Sequence, residues 1–165
     1  MIDNGGVVYE VSEGVGFIEF WHPKSNSLPG AVLASLASTI EEAGKDSRSS
    51  VLVLKSRGEK AFCAGASFDE LISIEDFEVG KEFFMGFARV INAARKCPKL
   101  IIGRVHGKAV GGGVGMAAAV DYCMATQNAS VKLSELAVGI GPFVVGPAVE
   151  RKIGNSAMSE LAINA

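Results

Sequence analysis

Two apolar stretches, residues 7–11 and 15–20, flank the polar Ser12-Glu13-Gly14, a pattern that predicts a β-hairpin with Gly14 in its turn. Residues 22–29 break that pattern. Val32, Leu33, Leu36 and Ile40 then recur at helical spacing, and residues 41–44 close the helix. The continuous apolar run 51–54 predicts a strand covered on both faces, as in parallel sheets. After a polar loop and residues 61–66, Ser67 and Glu70 have capping-box spacing, so a helix start is expected directly after Ala66. A long helix is expected over 75–96, with Phe83, Phe84, Phe87, Val90, Ile91 and Ala94 as its apolar stripe and Pro98 as its stop. Residues 100–105 form a buried strand that feeds the glycine turn 107–115 and a small-residue helix up to Asp121. Residues 122–125 and 130–133 are short strand candidates. The stretch 142–153 is helical in pattern, with Pro147 expected to kink or break it, and Asn155 can cap a last helix. Strands alternating with helices predict a layered α/β fold, and no internal repeat is visible.

Composition narrows the class. At 165 residues the chain is expected to be one domain, and 48% hydrophobic content with 20 glycines indicates a packed core rather than a disordered chain. A formal net charge of −2 without a basic cluster makes nucleic acid and anionic membrane poor partners. No apolar run is long enough to span a bilayer and the first residues lack a signal peptide's pattern, so a cytoplasmic protein is expected. Cys63, Cys97 and Cys123 are odd in number with no C-x-x-C, and read as reduced thiols rather than a disulfide frame or a metal site.

Chemistry concentrates at two turns. Residues 64–66 and 111–113 each present backbone N–H groups where a helix is expected to begin, and two converging donors are what an oxyanion hole requires. The bland reading of the second turn is a close-packed helix under a sheet. A third reading is formal: Gly113-x-Gly115-x-x-Ala118 with Glu135 downstream matches a dinucleotide fingerprint, but it leaves 64–66 unexplained. His106 reads as a structural hydrogen bonder at a strand end, and Asp121 as a residue that pins the packing after the helix. Glu135 lies among Leu133, Leu136, Val138 and Ile140, an apolar setting that would raise its pKa towards the working range of an acid–base group.

Lys60-Ala61-Phe62-Cys63-Ala64-Gly65-Ala66 resembles the first fingerprint of the crotonase (enoyl-CoA hydratase/isomerase) superfamily, and residues 106–121 resemble the second. His22-Pro23-Lys24 with Asn26-Ser27-Leu28 resembles its coenzyme A contact loop. Ser134-Glu135, Gly139 and residues 146–151 resemble its catalytic glutamate segment and the helix after it. The resemblance implies a ββα-repeat spiral core with layered sheets flanked by helices, over 1–165. It also implies acyl-CoA thioester substrates without a separate cofactor or metal, and homotrimers or hexamers. The chain ends at Ala165 inside a helical pattern, so the family's C-terminal trimerisation helices are expected to be absent and an apolar surface exposed.

Carried over position by position, the resemblance gives the N–H groups of Ala66 and Gly112 as oxyanion donors and Glu135 as the proton carrier. Lys24, Asn26, Leu28, Ala64 and Ala66 become coenzyme A contacts, Ala64 through its backbone near the adenine. Family hydratases use a second glutamate three residues after the Gly112 position, where this chain has Gly115. Dienoyl-CoA isomerases and the 4-chlorobenzoyl-CoA dehalogenase place an aspartate where this chain has Phe143. One acid remains, which favours single-glutamate isomerase chemistry. The alternatives are a hydratase (a lyase) of fatty-acid or branched-chain catabolism and a non-catalytic coenzyme A-binding scaffold.

Overall fold

Glu13 and Gly14 take positive φ (51° and 78°), the turn geometry that lets two right-twisted strands lie flat together. They join β1 (Gly6–Ser12) to β2 (Val15–Trp21) in the expected antiparallel hairpin, paired from Ser12↔Val15 to Gly6↔Trp21. The computed structural model describes residues 4–164.

After the hairpin, β3 (Ser27–Leu28) leads to α1 (Gly30–Lys45), and β4 (Val51–Ser56) to β5 (Ala61–Cys63). Next come β6 (Gly65–Ala66), α2 (Phe68–Ile72) and α3 (Phe77–Lys96). β7 (Ile101–Val105), β8 (Lys108–Val110) and α4 (Gly112–Ala119) precede β9 (Tyr122–Ala125) and β10 (Ser130–Lys132). A 3-10 turn (Leu136–Val138), α5 (Gly146–Ile153) and α6 (Asn155–Ile163) complete the order.

The same unit is laid down four times: β2-β3-α1, β4-β5-α3, β7-β8-α4 and β9-β10-α5. The first strand of each unit joins one large sheet, ordered β1-β2-β4-β7-β9. The second strands build smaller sheets, β10-β8-β5 and, with the extra strand β6, β3-β6, and the helix returns the chain for the next parallel strand. This is the ββα-repeat spiral that the resemblance implies, and it is a repeat of structure without a repeat of sequence.

The core lies under one face of the large sheet. Ile18, Phe20, Leu52, Leu54 and Ile101 are essentially fully buried there, against Leu33, Leu36 and Ile40 of α1. The opposite face does not match the expectation for β4. Val51, Val53 and Lys55 are only half-buried, and Lys55 and Arg57 pair with Glu19 at 3.0 and 2.5 Å. The outer face of that strand is therefore a partly solvated surface.

Several local expectations change for physical reasons. The strand feeding the glycine turn is β8, not β7: the chain leaves the large sheet at Val105 and pairs Lys108 to Val110 with β10 and, through Lys108 and Ala109, with β5. Only half of the Ser67–Glu70 box forms. Ser67 Oγ accepts the Glu70 N–H, but the Glu70 carboxylate accepts the Gly30 N–H at 2.9 Å, capping α1, whose own N-cap is Pro29. The long helix begins at Phe77, with Asp76 as its cap through a bond from Val79 N–H at 2.9 Å. Pro147 sits in the first turn of α5, where its missing N–H costs nothing, so it starts that helix rather than kinking it. α6 is capped by Gly154, while Asn155 donates to Glu150 Oε1 at 3.0 Å. Asp121 pins the structure as expected, its Oδ2 accepting the Ile101 N–H at 2.8 Å.

Candidate active site

Second strands of neighbouring units run parallel, so their ends fall together. The turn after β5 and the turn after β8 meet so closely that a Cβ on Gly65 would lie 3.2 Å from Val110 O and 4.0 Å from the Gly112 nitrogen. Gly65 also has φ +95°, a conformation other residues rarely adopt. A cavity of about 260 Å³ opens at this junction, and Ala64, Gly65, Ala66, Gly111 and Gly112 all line it.

Gly111 sets the direction of the second turn. Its backbone (φ 51°, ψ −117°) is open to glycine alone, and its N–H is held by Lys132 O at 2.9 Å. The first intrahelical bonds of α4 run from Val114 and Gly115 back to Gly111 O, which leaves the Gly112 N–H among the unpaired donors of a helix start. A helix starts directly after Ala66, as expected, with Ser67 as its cap; Ala66 itself lies on the two-residue β6. Ser67 N–H donates to Leu28 O at 3.0 Å, and since successive N–H groups of a strand point to opposite edges, the Ala66 N–H faces away from β3. Ser27 Oγ donates to Ala66 O at 2.9 Å and steadies that residue.

Glu135 projects into the same cavity. Its Oε1 would lie 3.5 Å from a Cβ on Gly111, and its Oε2 is buried without a hydrogen-bond partner. Burial pushes its pKa up, with only a smaller opposing effect from its own backbone N–H. The apolar setting is real but has other members than the sequence suggested. Val138 and Ile140 line the cavity, whereas Leu133 is fully buried in the core and Leu136 is half-exposed. The apolar wall is completed by Phe68 and Leu71 of α2, by Phe83, Phe84 and Phe87 of α3, and by Pro142, Val144 and Val145, of which only the α3 stripe left a signal in the sequence.

A raised carboxyl pKa has a consequence for stability. The protonated form is favoured in the folded state, so its contribution is present at low pH and lost as pH rises through the raised pKa. Glu135→Gln should therefore unfold at a higher temperature than the wild type at pH 7, with the difference shrinking at pH values below the ordinary 4.5. Melting curves at both pH values test this; a pH-independent difference would contradict it.

Packing accounts for the missing acid at Gly115. A Cβ on Gly115 would come within 2.6 Å of Val145 Cγ1 and 2.9 Å of Ile91 Cδ1, so that position is already filled by neighbours. Phe143 is 86% exposed and folds back over Gly141. The dinucleotide reading fails on the same ground: a Cβ on Gly113 would meet Cys63 O at 2.5 Å, so Gly113 and Gly115 serve close packing and offer no approach to a pyrophosphate.

Of the expected coenzyme A contacts, Ala64 and Ala66 line the cavity, and Lys24, Asn26 and Leu28 do not. Lys24 is exposed and ion-paired with Asp69. Leu28 is wholly buried. Asn26 is a staple: its Oδ1 accepts the His22 N–H at 2.8 Å, and its Nδ2 donates to Arg57 O at 2.8 Å and Ala61 O at 2.9 Å. Ser27, between them, is the residue of that loop that faces the cavity. The His106 ring nitrogens are buried without hydrogen-bond partners among the described residues, and its carbonyl accepts from Thr126 Oγ1. Cys63 is a core thiol, pushed up to about 12 by burial. Among the described residues no cluster of His, Cys, Asp or Glu could hold a metal ion, and no helix is long and apolar enough to cross a membrane.

A family model described as enoyl-CoA hydratase/isomerase matches residues 10–165. The chain belongs to the enoyl-CoA hydratase/isomerase family. It is 29% identical over 161 residues to a short-chain-enoyl-CoA hydratase of Clostridium acetobutylicum, covering 96% of this chain and 61% of that protein. It is 28% identical over 156 residues to a mitochondrial 3-hydroxyisobutyryl-CoA hydrolase of Gallus gallus, covering 90% of this chain and 40% of the hydrolase. The crystal structure of an enoyl-CoA hydratase from Mycobacterium smegmatis superposes with a TM-score of 0.88 at 30% identity, over 95% of this chain and 62% of that one. This family member thus spans about two fifths to three fifths of the length of those relatives.

Proposed function

We propose that this cavity isomerises the double bond of a 3-enoyl-CoA thioester through an enolate. Glu135 removes a proton from C2, the thioester oxygen takes up the charge between the Ala66 and Gly112 N–H groups, and the same carboxyl returns the proton at C4. The double bond moves from C3–C4 to C2–C3 with no net gain or loss of atoms. Preorganised donors of this kind are typically worth roughly 3–4 kcal/mol each to the transition state. Ala64 contributes coenzyme A contact through its backbone, and the large exposed side chains Tyr122, Met124 and Val131 fit a protein that associates with copies of itself, as the family's trimers do.

One observation carries the reading. Among the described residues a single carboxyl faces the paired glycine turns, and the place of a second is closed by Val145 and Ile91. Hydration needs one group to activate water and another to supply the α-proton, whereas isomerisation needs one base that reaches two carbons. Side-by-side rates for 3-hexenoyl-CoA isomerisation and crotonyl-CoA hydration test it. Isomerisation should be the faster; dominant hydration would overturn the proposal, and binding of both thioesters without turnover would favour a scaffold.

A further inference from the structure

The polar inventory of the cavity is short. Among the described residues its polar side chains are Ser27, Ser134 and Glu135, and no lysine, arginine, histidine, asparagine or glutamine lines it. The Ser27 hydroxyl is engaged with Ala66 O, and Ser134 Oγ stands at the Glu135 end, 3.8 Å from where a Gly111 Cβ would be. The remaining side chains of the wall, from α2 and α3 on one side and residues 138–145 on the other, have no hydrogen-bond donor. Lys24 is ion-paired with Asp69, and Arg89 with Glu82 at 2.8 Å; neither lines the cavity.

Resting on the enolate reading of this same site, we propose that the acyl end is a charge-excluding pocket in which Glu135 is a selectivity filter as well as a base. The pocket takes uncharged hydrocarbon acyl groups and rejects acyl groups that end in a second carboxylate. Such a carboxylate would lose its water on entry and find, along the wall built by α2, α3 and residues 138–145, no side-chain donor or cation to replace it. It would also share a low-dielectric space with the Glu135 carboxyl, and two like charges cannot both be kept ionised there without a penalty. The apolar walls and the lone acid act in the same direction, so the discrimination has two separable parts.

Hexanoyl-CoA and hexanedioyl-CoA have the same acyl length and differ by the terminal carboxylate, and neither has a double bond to turn over. Their binding is measured by titration calorimetry against free coenzyme A, with the wild type and with Glu135→Gln at a pH where the wild-type carboxyl is ionised. The expected result is hexanoyl-CoA bound at least about 100-fold more tightly than hexanedioyl-CoA by the wild type. The gap should narrow in Glu135→Gln and yet persist, because the walls are unchanged. Equal affinity of the two thioesters for the wild type would overturn the selectivity, and a gap identical in Glu135→Gln would overturn the part assigned to that residue. If neither probe binds better than coenzyme A, the acyl-CoA reading itself fails, a result distinct from equal binding of both.

Discussion

Glu135→Gln is expected to lower 3-enoyl-CoA isomerisation by roughly 10²–10⁴-fold while leaving acyl-CoA affinity nearly intact, the range general acid–base catalysis typically supplies. Glutamine keeps the size of the side chain and its place at the start of the 3-10 turn, so the cavity should hold its shape. It cannot accept and return a proton. The loss should therefore fall on kcat, with KM little changed, because the removed group acts on the transition state rather than on the bound substrate. The wild-type rate should rise with pH through a carboxyl pKa above the ordinary 4.5, since burial favours the protonated, inactive base. Full turnover in Glu135→Gln would show that another group moves the proton.

The second large effect concerns Gly115. Restoring the hydratase-like acid by Gly115→Glu should cost several kcal/mol of stability and yield no hydration. Val145 is 3% and Ile91 5% exposed, so neither has free space into which it could retreat from a Cβ placed 2.6–2.9 Å away. Gly115→Ala isolates the steric part. Exchanging a helical glycine for alanine gains about 1 kcal/mol of helix preference, but overpacking a closed core typically costs about 1–3 kcal/mol. The net change should be destabilising, and Gly115→Glu should be worse because it adds a buried carboxyl without a partner. Urea denaturation of both variants measures this. A Gly115→Glu protein as stable as the wild type, hydrating crotonyl-CoA, would show that the position is open.

What was legible in the sequence is what depends on near neighbours. The hairpin follows from a turn between two apolar strands, α1 from Val32, Leu33, Leu36 and Ile40, and the two glycine turns from motifs a few residues long. Their convergence was legible only through resemblance, because it depends on β5 pairing with β8, strands about 47 residues apart in the chain. β8 itself was hidden: three residues between glycines carry too little pattern to register as a strand. The role of Asn26 was hidden for the same reason, as its partners Arg57 and Ala61 lie more than 30 residues away and are backbone carbonyls with no side-chain signature. Glu70 had the right spacing for its own helix, and tertiary structure used it to cap another. Around Glu135 the apolar character was correct while half the named neighbours were not, since much of the wall comes from α2, α3, Val144 and Val145.

Enolate formation can be observed apart from both isomerisation and hydration. A saturated thioester such as butanoyl-CoA has no double bond to move or hydrate, so exchange of its C2 proton in deuterium oxide, followed by NMR, reports the base and the two N–H donors alone. The wild type should catalyse exchange at C2, and Glu135→Gln should slow it by roughly 10²-fold or more. No exchange with the wild type, or exchange at an undiminished rate in Glu135→Gln, would contradict an enolate made by Glu135 between Ala66 and Gly112.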